Sequence, residues 1–390
     1  MKTFAEIHAA RGAQMIVRNG KEVPLSVSDR VTAHGALRRN FVVVDYSHLA
    51  IVDVSGDDAF DFLSAIVSGD LAAIRDEQAI YTFILDDVGQ VVLDLYVLCD
   101  DERYLLLTEC MSGADLAGRL ASRVSGQSVE IADRSDELST VLFEGPYSWE
   151  IAKELFGMDV IGLPFMEHMP VSGGILFRAG NHGEFSYQVI CGKDAAGDLL
   201  EDRDGLYAKY GAVFAGLDFQ DLARLENPCW DETRLGVYSR CPIELQSQWM
   251  VRYDKDEFIG KGALEDKLAA GPSRRMVGFV ADLEGETDLQ PGQPIRMGDA
   301  QVGIVVTAGY SSERNRTIGQ ALLASDYAYA EIVGFKAGAP GEEAFISTST
   351  IPFVRNFSFL VNPLEHSYVD SGRHKNVLEQ LEAAQAVKST

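Results

Sequence analysis

Asp94 is the residue of this chain best suited to chemistry, because it stands inside an apolar run, Val91-Val-Leu-Asp-Leu-Tyr-Val-Leu98. A carboxylate in such surroundings loses hydration, so it must be paired, hydrogen-bonded or held protonated by a raised pKa. Groups of that kind concentrate at functional sites. The competing reading is an aspartate satisfied by a nearby loop amide or arginine. His182 is the second candidate: it lies in Gly180-Asn-His-Gly-Glu184, a polar, glycine-flanked loop of the type that carries function. His48 follows a buried run and reads as a core or turn histidine. The seven histidines are far apart, so no metal site is expected from His48, His168 or His182. A Gly-x-Gly-x-x-Gly turn, a phosphate-binding Gly-Lys-Ser/Thr loop, a Gly-x-Ser-x-Gly elbow and His-Glu-x-x-His are all missing.

The elements that must position these groups follow from local pattern. Residues 81–98 read as strand, tight turn at 86–90 and strand, the second apolar enough to be buried on both faces. Asn19-Gly20 between two apolar runs supplies the positive φ angles of a hairpin turn. A helix is expected after Ser55-Gly-Asp-Asp58, with Phe60, Leu63, Ile66 and Val67 on one face. Further helices are expected over 111–124, 148–156 and 195–210, and strands over 41–45, 103–108, 139–143, 174–178 and 186–191. The polar, glycine-rich stretch 253–264 reads as a bridge between domains. From residue 274 short β-type runs with Gly/Pro turns recur at 276–281, 301–307, 328–333 and 343–346, the pattern of a small barrel. The tail from about residue 362 ends in a short helix with Val377, Leu381 and Ala384 on one side, expected to dock on its own body.

At 390 residues the chain exceeds what one core supports, so two or three domains are expected. The net charge of −25 argues against sequence-independent nucleic-acid binding and against docking on anionic lipid. There is no apolar run of about 18 residues that would span a membrane, and the start, with Glu6 and His8 in place of an apolar core, does not read as a secretion signal. The five cysteines form no Cys-x-x-Cys pair; reduced thiols and a cytoplasmic location are expected. A small-molecule substrate is expected, and a homodimer is compatible with the sequence.

The order of landmarks resembles the aminomethyltransferase family: the T-protein of the glycine cleavage system, folate-dependent demethylases, and the folate domains of dimethylglycine and sarcosine oxidases. The carriers are Ile7-His-Ala-Ala-Arg-Gly-Ala-Gln-Met15, Val44-Asp-Tyr-Ser-His48, Tyr81…Gly89…Asp94-Leu95 and Glu144-Gly-Pro146. They continue with Gly180-Asn-His-Gly-Glu184, Tyr187-Gln188, Asp221-Leu-Ala-Arg-Leu-Glu226, Trp249, Asp256-Glu-Phe-Ile-Gly-Lys-Gly-Ala-Leu264, Gly303-Ile304, Thr307-Ala-Gly309 and Pro352-Phe-Val354. The resemblance spans about residues 4–356. It implies an α+β fold, a three-domain cloverleaf of two interleaved α+β domains and a C-terminal β-barrel. The expected parts are 1–50 with 136–270, 51–135 carrying Asp94, the barrel over 271–361, and the tail over 362–390.

It further implies that tetrahydrofolate occupies a central hole and accepts a one-carbon unit from a small donor, with Asp94 beside the transferred carbon. Asp94 is the catalytic residue that the resemblance implies; His182, singled out by its polar loop, is the second catalytic candidate, able to take the substrate's proton. Tyr81, Thr108, Glu184, Gln188, Arg224 and Arg355 are the implied cofactor contacts, and Tyr96, Asn181 and Trp249 the substrate-side ones. Arg224 and Arg355 would meet a carboxylate, or form structural ion pairs. The sequence departs from the family where the pterin is held: Tyr-Thr-Gly-Glu becomes Asn181-His182-Gly183-Glu184, the gripping glutamate becomes Gln188, and an asparagine becomes Thr108. An amide whose donor faced the pterin would be mismatched, at a cost of about 1–3 kcal/mol. Two functions follow. One is a folate-dependent C1 transferase, a demethylase of a small O-, S- or N-methyl compound rather than a glycine-cleavage T-protein. The other is a folate-independent lyase that releases a C1 fragment such as formaldehyde from a hydroxymethyl compound. A non-enzymatic folate-binding assembly protein is a poor third, because its Lys-Gly-Cys-Tyr-x-Gly-Gln-Glu motif is missing.

Overall fold

In the computed structural model, residues 2–388 are described except 102 and 203. Three β-structures organise the chain. A six-stranded sheet is built from Val42–Asp45, Leu138–Glu144, Glu167–Val171, Gly174–Arg178, Ser186–Gly192 and the short parallel strand Val213–Ala215. A five-stranded antiparallel sheet holds Ala50–Ser55, Ala79–Leu85, Val91–Asp100, Arg103–Thr108 and Glu130–Asp133. A closed six-stranded barrel runs from Arg274–Ala281 to Ala344–Ser349. This is the expected α+β architecture ending in a barrel. The Asn19-Gly20 hairpin also forms, joining Gln14–Arg18 to Lys21–Ser26 with φ of 49° and 76° at the turn.

The strand Val91–Asp100 shows how an aspartate is carried at its centre. Leu93, Leu95 and Val97 point to one side and join Val52, Phe62, Leu63 and Leu106 in the core under the helix Ala59–Ile66. Asp94 and Tyr96 point to the other side, where the cross-strand partner of Tyr96 is Tyr81 and that of Asp94 is Phe83. Period-2 geometry therefore gives one strand two duties. One face packs the core, and the other faces the space where the two sheets and the barrel converge.

Three local expectations need correction, and one, the stretch 253–264, gains detail. The helix expected over 195–210 is two pieces, Lys193–Glu201 and Leu206–Lys209, broken at Asp202 and Gly205 in left-handed backbone (φ 47° and 61°). The run 328–333 is turn; the barrel instead uses Arg316–Ala324, buried almost throughout, so no in-out alternation marks it as a strand. Gly319 in that strand is required, because a Cβ there would sit 2.0 Å from the carbonyl oxygen of Thr307. The stretch 253–264 passes from turns into the helix Lys261–Ala270. Its Lys255 Nζ donates to the carbonyl oxygens of Ser64, Val67 and Gly69 (2.6–2.8 Å), tying it to the five-stranded unit; burial pulls the Lys255 pKa down to about 8. Finally, the tail docks through residues before its helix: Glu150 accepts from the Tyr368 amide (2.8 Å) and from the Ser367 hydroxyl. The helix Val377–Lys388 itself leaves Leu378, Leu381 and Val387 exposed.

A buried ionic hub ties these parts together. Arg38, on the helix Arg30–Arg39, donates through Nε to Glu226 Oε2 (3.0 Å) and through Nη1 to Glu184 Oε1 (3.2 Å) and the His182 carbonyl (2.9 Å). Glu226 also takes His34 Nε2 (2.8 Å) and, on its other oxygen, the hydroxyl of Ser311 from the barrel (2.5 Å).

Candidate active site

Asp94 opens on a cavity of about 250 Å3 lined by both sheets and by the helix Phe219–Glu226. Both of its oxygens accept: Oδ2 from the Tyr81 hydroxyl, and Oδ1 from the Cys110 thiol at 3.0 Å. Thr108 Oγ1 donates to the Asp94 carbonyl (2.7 Å), fixing the backbone behind it. Burial pushes the Asp94 pKa up, against the opposing pull of the Cys110 and Tyr81 donors. The Tyr81 hydroxyl is pushed well up by burial and by the adjacent carboxylate, so Tyr81 remains the donor. Two donors and no acceptor against Asp94 favour the ionised carboxylate in a site whose burial opposes it. The aspartate is thus poised to take up a proton or to stabilise a cation.

One wall is a second charge cluster, half-buried, that the sequence did not announce. Arg224 Nη2 donates to both Glu109 oxygens (3.0 Å each), and its Nη1 to Asp231 (3.3 Å). Burial pushes the Glu109 pKa up, but Arg224, His48 and Tyr46 outweigh it and hold the carboxylate well below its ordinary range. Tyr46 donates to Glu109 Oε1 (2.7 Å), and His48 Nε2 lies 3.5 Å from Oε2. Arg224 is therefore engaged in structural ion pairs, the alternative weighed for it from sequence. Glu109 follows the strand Arg103–Thr108 directly, next to Thr108; that adjacency was its only signal.

The opposite wall comes from the six-stranded sheet. His182 Nδ1 bonds Glu144 Oε2 at 2.8 Å, and its Nε2 has no protein partner. With Nδ1 as donor, the Nε2 of a neutral ring is an acceptor. Gln188 donates its amide to the Ala179 carbonyl (2.9 Å), which leaves its acceptor, Oε1, unpaired. The mismatch weighed from sequence, an amide donor facing the ligand, is thereby avoided. Glu144 Oε1 and Ser186 Oγ are likewise unpaired and buried. Ser186 is the cross-strand partner of Glu144, and Gln188 is the next residue on the same face. Gly180 makes room for them, since a Cβ there would lie 2.4 Å from Ser186 Oγ and 2.9 Å from Glu144 Oε1.

Two larger compartments flank this cavity. One, about 950 Å3, shares Tyr81, Tyr96, Asn181 and Trp230 with it and reaches the barrel at Met276, Gly278 and Gln320. It is mostly apolar, and Trp249 lines it with 71% of its surface exposed. The other, about 710 Å3, is the more polar of the two, with apolar and charged side chains both in its lining, and shares Arg18, Glu109, Arg224, Asp231 and Thr233. The Tyr81 and Tyr96 rings lie 4.8 Å apart, and the Tyr96 hydroxyl donates to Asn181 Oδ1 (2.5 Å).

Of the residues singled out from sequence, Asp94, His182, Tyr81, Thr108, Gln188, Arg224, Tyr96 and Asn181 line the small cavity, and Trp249 the apolar compartment. Two fall elsewhere. Glu184 is buried outside these cavities, accepting from Arg38, the Phe357 amide (3.0 Å), and the Ser358 amide (2.8 Å) and hydroxyl (2.6 Å). It therefore has no lone pair directed at a ligand. Arg355 is exposed and lines none of the three. Tyr46, Glu109, Cys110, Glu144 and Asp231 were not anticipated as site residues. No group of three or more metal-type ligands occurs among the described residues, and no helix among them is long and apolar enough to cross a membrane.

Comparison with known proteins agrees with this architecture. The GCVT N-terminal domain model matches residues 4–255, well over half of the chain, and the glycine cleavage T-protein C-terminal barrel domain matches residues 274–347. The aminomethyltransferase of Alkaliphilus oremlandii is 28% identical over 335 residues, covering 83% of this chain and 89% of that protein. That of Thermoanaerobacter pseudethanolicus is 29% identical over 321 residues, covering 79% and 85%. The crystal structure of glycine cleavage system aminomethyltransferase T from Bartonella henselae has the same fold, with a TM-score of 0.78 at 21% identity over 91% of this chain and 98% of that one. With both domains matched in order along the sequence, the chain belongs to the glycine cleavage T-protein family.

Proposed function

We propose that this protein is a one-carbon transferase that uses tetrahydrofolate and takes a methyl or other C1 unit from a small O-, S- or N-substituted donor. The observation that carries the reading is Asp94, a half-buried carboxylate with a donor on each oxygen at the junction of an apolar and a polar compartment. The residues present suit a reduced folate. Unpaired acceptors on Gln188 and Glu144 suit the N–H edge of an aminopyrimidinone, and Tyr81, Tyr96 and Trp230 give aromatic walls at the junction with the apolar compartment. Tetrahydrofolate would supply the amine that accepts the one-carbon unit. Asp94 takes up the proton that the accepting amine loses, stabilises cationic charge at the carbon, and returns the proton to the O, S or N atom from which the carbon departs. Tyr81 and Cys110 hold its two oxygens in place. His182, oriented by Glu144, offers Nε2 as a second proton acceptor. The lyase alternative, which rests on Gln188 and Asn181 in place of the family's residues, stays as the second reading; the acceptor that Gln188 offers supports the folate reading.

Calorimetric titration with tetrahydrofolate tests the reading. Micromolar binding is the expected result, and no binding would turn the search to cofactor-free release of formaldehyde. Gln188→Glu belongs beside it. The new carboxylate oxygen would face the Ala179 carbonyl in place of the amide donor, leaving a buried repulsive pair worth about 1–3 kcal/mol. Weaker folate binding and a lower unfolding midpoint are expected. Tighter binding by Gln188→Glu would mean that the amide presents its nitrogen, not its oxygen, to the ligand.

A further inference from the structure

We propose that Arg18 is the anion-recognition residue of this site, and that the one-carbon donor is a small carboxylate reaching the cavity from its polar side. The inference deepens the one-carbon-transfer reading and rests on it for the identity of the reaction. Arg18 ends the first strand of the N-terminal hairpin, and its neighbour Asn19 pins the turn by donating to the carbonyl oxygens of His48 and Glu109 (3.0 Å each). Arg18 is thereby delivered to the boundary between the Asp94 cavity and the polar compartment and lines both.

The other guanidinium groups on that side already have partners. Arg224 is held by Glu109 and Asp231, Arg30 lies 3.7 Å from Asp221, and Arg234 donates to the Asp221 carbonyl (3.3 Å). Glu232, a further acid of the small cavity, is paired with Arg240 (2.7 Å). Among the described residues the Arg18 guanidinium has no side-chain hydrogen bond or ion pair. It is the cation left available for a ligand. The apolar compartment has no lysine, arginine or histidine in its lining, so an anionic group entering there would meet no counter-charge. The protein as a whole carries a net charge of −25, which repels anions at long range; a carboxylate is retained only where a local cation meets it. The planar fork of arginine matches a carboxylate through two parallel hydrogen bonds. A donor gripped by Arg18 at its carboxylate would lie in the same cavity as Asp94, with its transferable carbon free to face that residue.

The test is calorimetric titration of the full-length protein with acid–amide pairs: methoxyacetate and methoxyacetamide, 3-methoxypropanoate and its amide, and (methylthio)acetate and its amide. Wild type, Arg18→Gln and Arg18→Lys are each titrated with these and with tetrahydrofolate. At least one acid should bind wild type tenfold or more tighter than its amide. Arg18→Gln should abolish that preference and Arg18→Lys keep part of it, with tetrahydrofolate affinity equal in all three. Equal binding of acid and amide, no binding by any acid, or a preference that survives Arg18→Gln would overturn the proposal. An acid preference without folate binding would overturn the cofactor reading and leave the anion site standing; folate binding without acid preference would remove the anion site alone.

Discussion

Asp94→Asn is expected to lower turnover by about 10²–10⁴-fold, the usual contribution of a positioned acid–base group, while folate affinity changes little. Asparagine keeps the shape and can still accept from Tyr81, but it neither takes a proton nor stabilises a cation. The pH dependence separates a chemical role from a structural one. Burial raises the folded-state pKa of Asp94 above its ordinary value. The ionised, active form is therefore lost as pH falls through that raised value, and the acid limb of kcat/KM should lie above the normal carboxylate range. In Asp94→Asn this limb should disappear. Linkage gives the sign for stability. A carboxylate with a raised folded-state pKa favours folding most below its unfolded value, and its buried charge opposes folding once pH exceeds the folded value. At neutral pH the variant should thus be no less stable than wild type, so a loss of rate could not be ascribed to unfolding. An Asp94→Asn protein that turned over at the wild-type rate would remove this residue from the reaction.

Arg38→Met is expected to have the largest effect on stability. Its guanidinium is 4% exposed and serves two buried carboxylates, Glu184 and Glu226, from different parts of the fold. Removing one member of a buried ion cluster leaves charge uncompensated, at a cost of about 3–5 kcal/mol. Glu226 would keep His34 and Ser311, and Glu184 would keep Ser358 and the Phe357 amide; the full Born penalty is therefore not reached. Because Arg38 also holds the His182 carbonyl, one-carbon transfer should weaken as well. The urea midpoint of Arg38→Met against wild type measures the effect, with Arg38→Lys expected between them, since an ammonium keeps the charge without the fork. A midpoint equal to wild type would show that the hub contributes nothing net.

Much of the site was legible because its groups break local pattern. Asp94 interrupts an apolar strand, and His182 and Asn181 sit in a glycine-flanked loop. Tyr81 and Tyr96 become cross-strand partners once the hairpin is drawn. Glu109 and Asp231 gave no such signal, because an acid at a strand end or in a loop looks like any solvated residue until another segment covers it; Glu144 stood in a recognisable Glu-Gly-Pro motif but showed nothing of its role. Glu184 misled for the opposite reason. It belongs to a recognisable motif, yet its carboxylate is saturated by residues 146 to 174 positions away in sequence.

By itself the sequence determined the C-terminal barrel, the hairpin at Asn19-Gly20 and the placing of Asp94 in an apolar strand. These depend on side-chain period and turn chemistry, which act over a few residues. Only the tertiary structure decided what the second face of that strand meets. It buries Leu93 and Leu95 in a core and Asp94 against a cavity, a distinction that the alternation of apolar residues does not encode. The tertiary structure also decided that Arg224 is engaged while Arg18 has no side-chain partner among the described residues, and that Gln188 turns its oxygen rather than its nitrogen away from Ala179. Such assignments depend on which distant donors and acceptors are brought within about 3 Å, and local sequence carries no record of that.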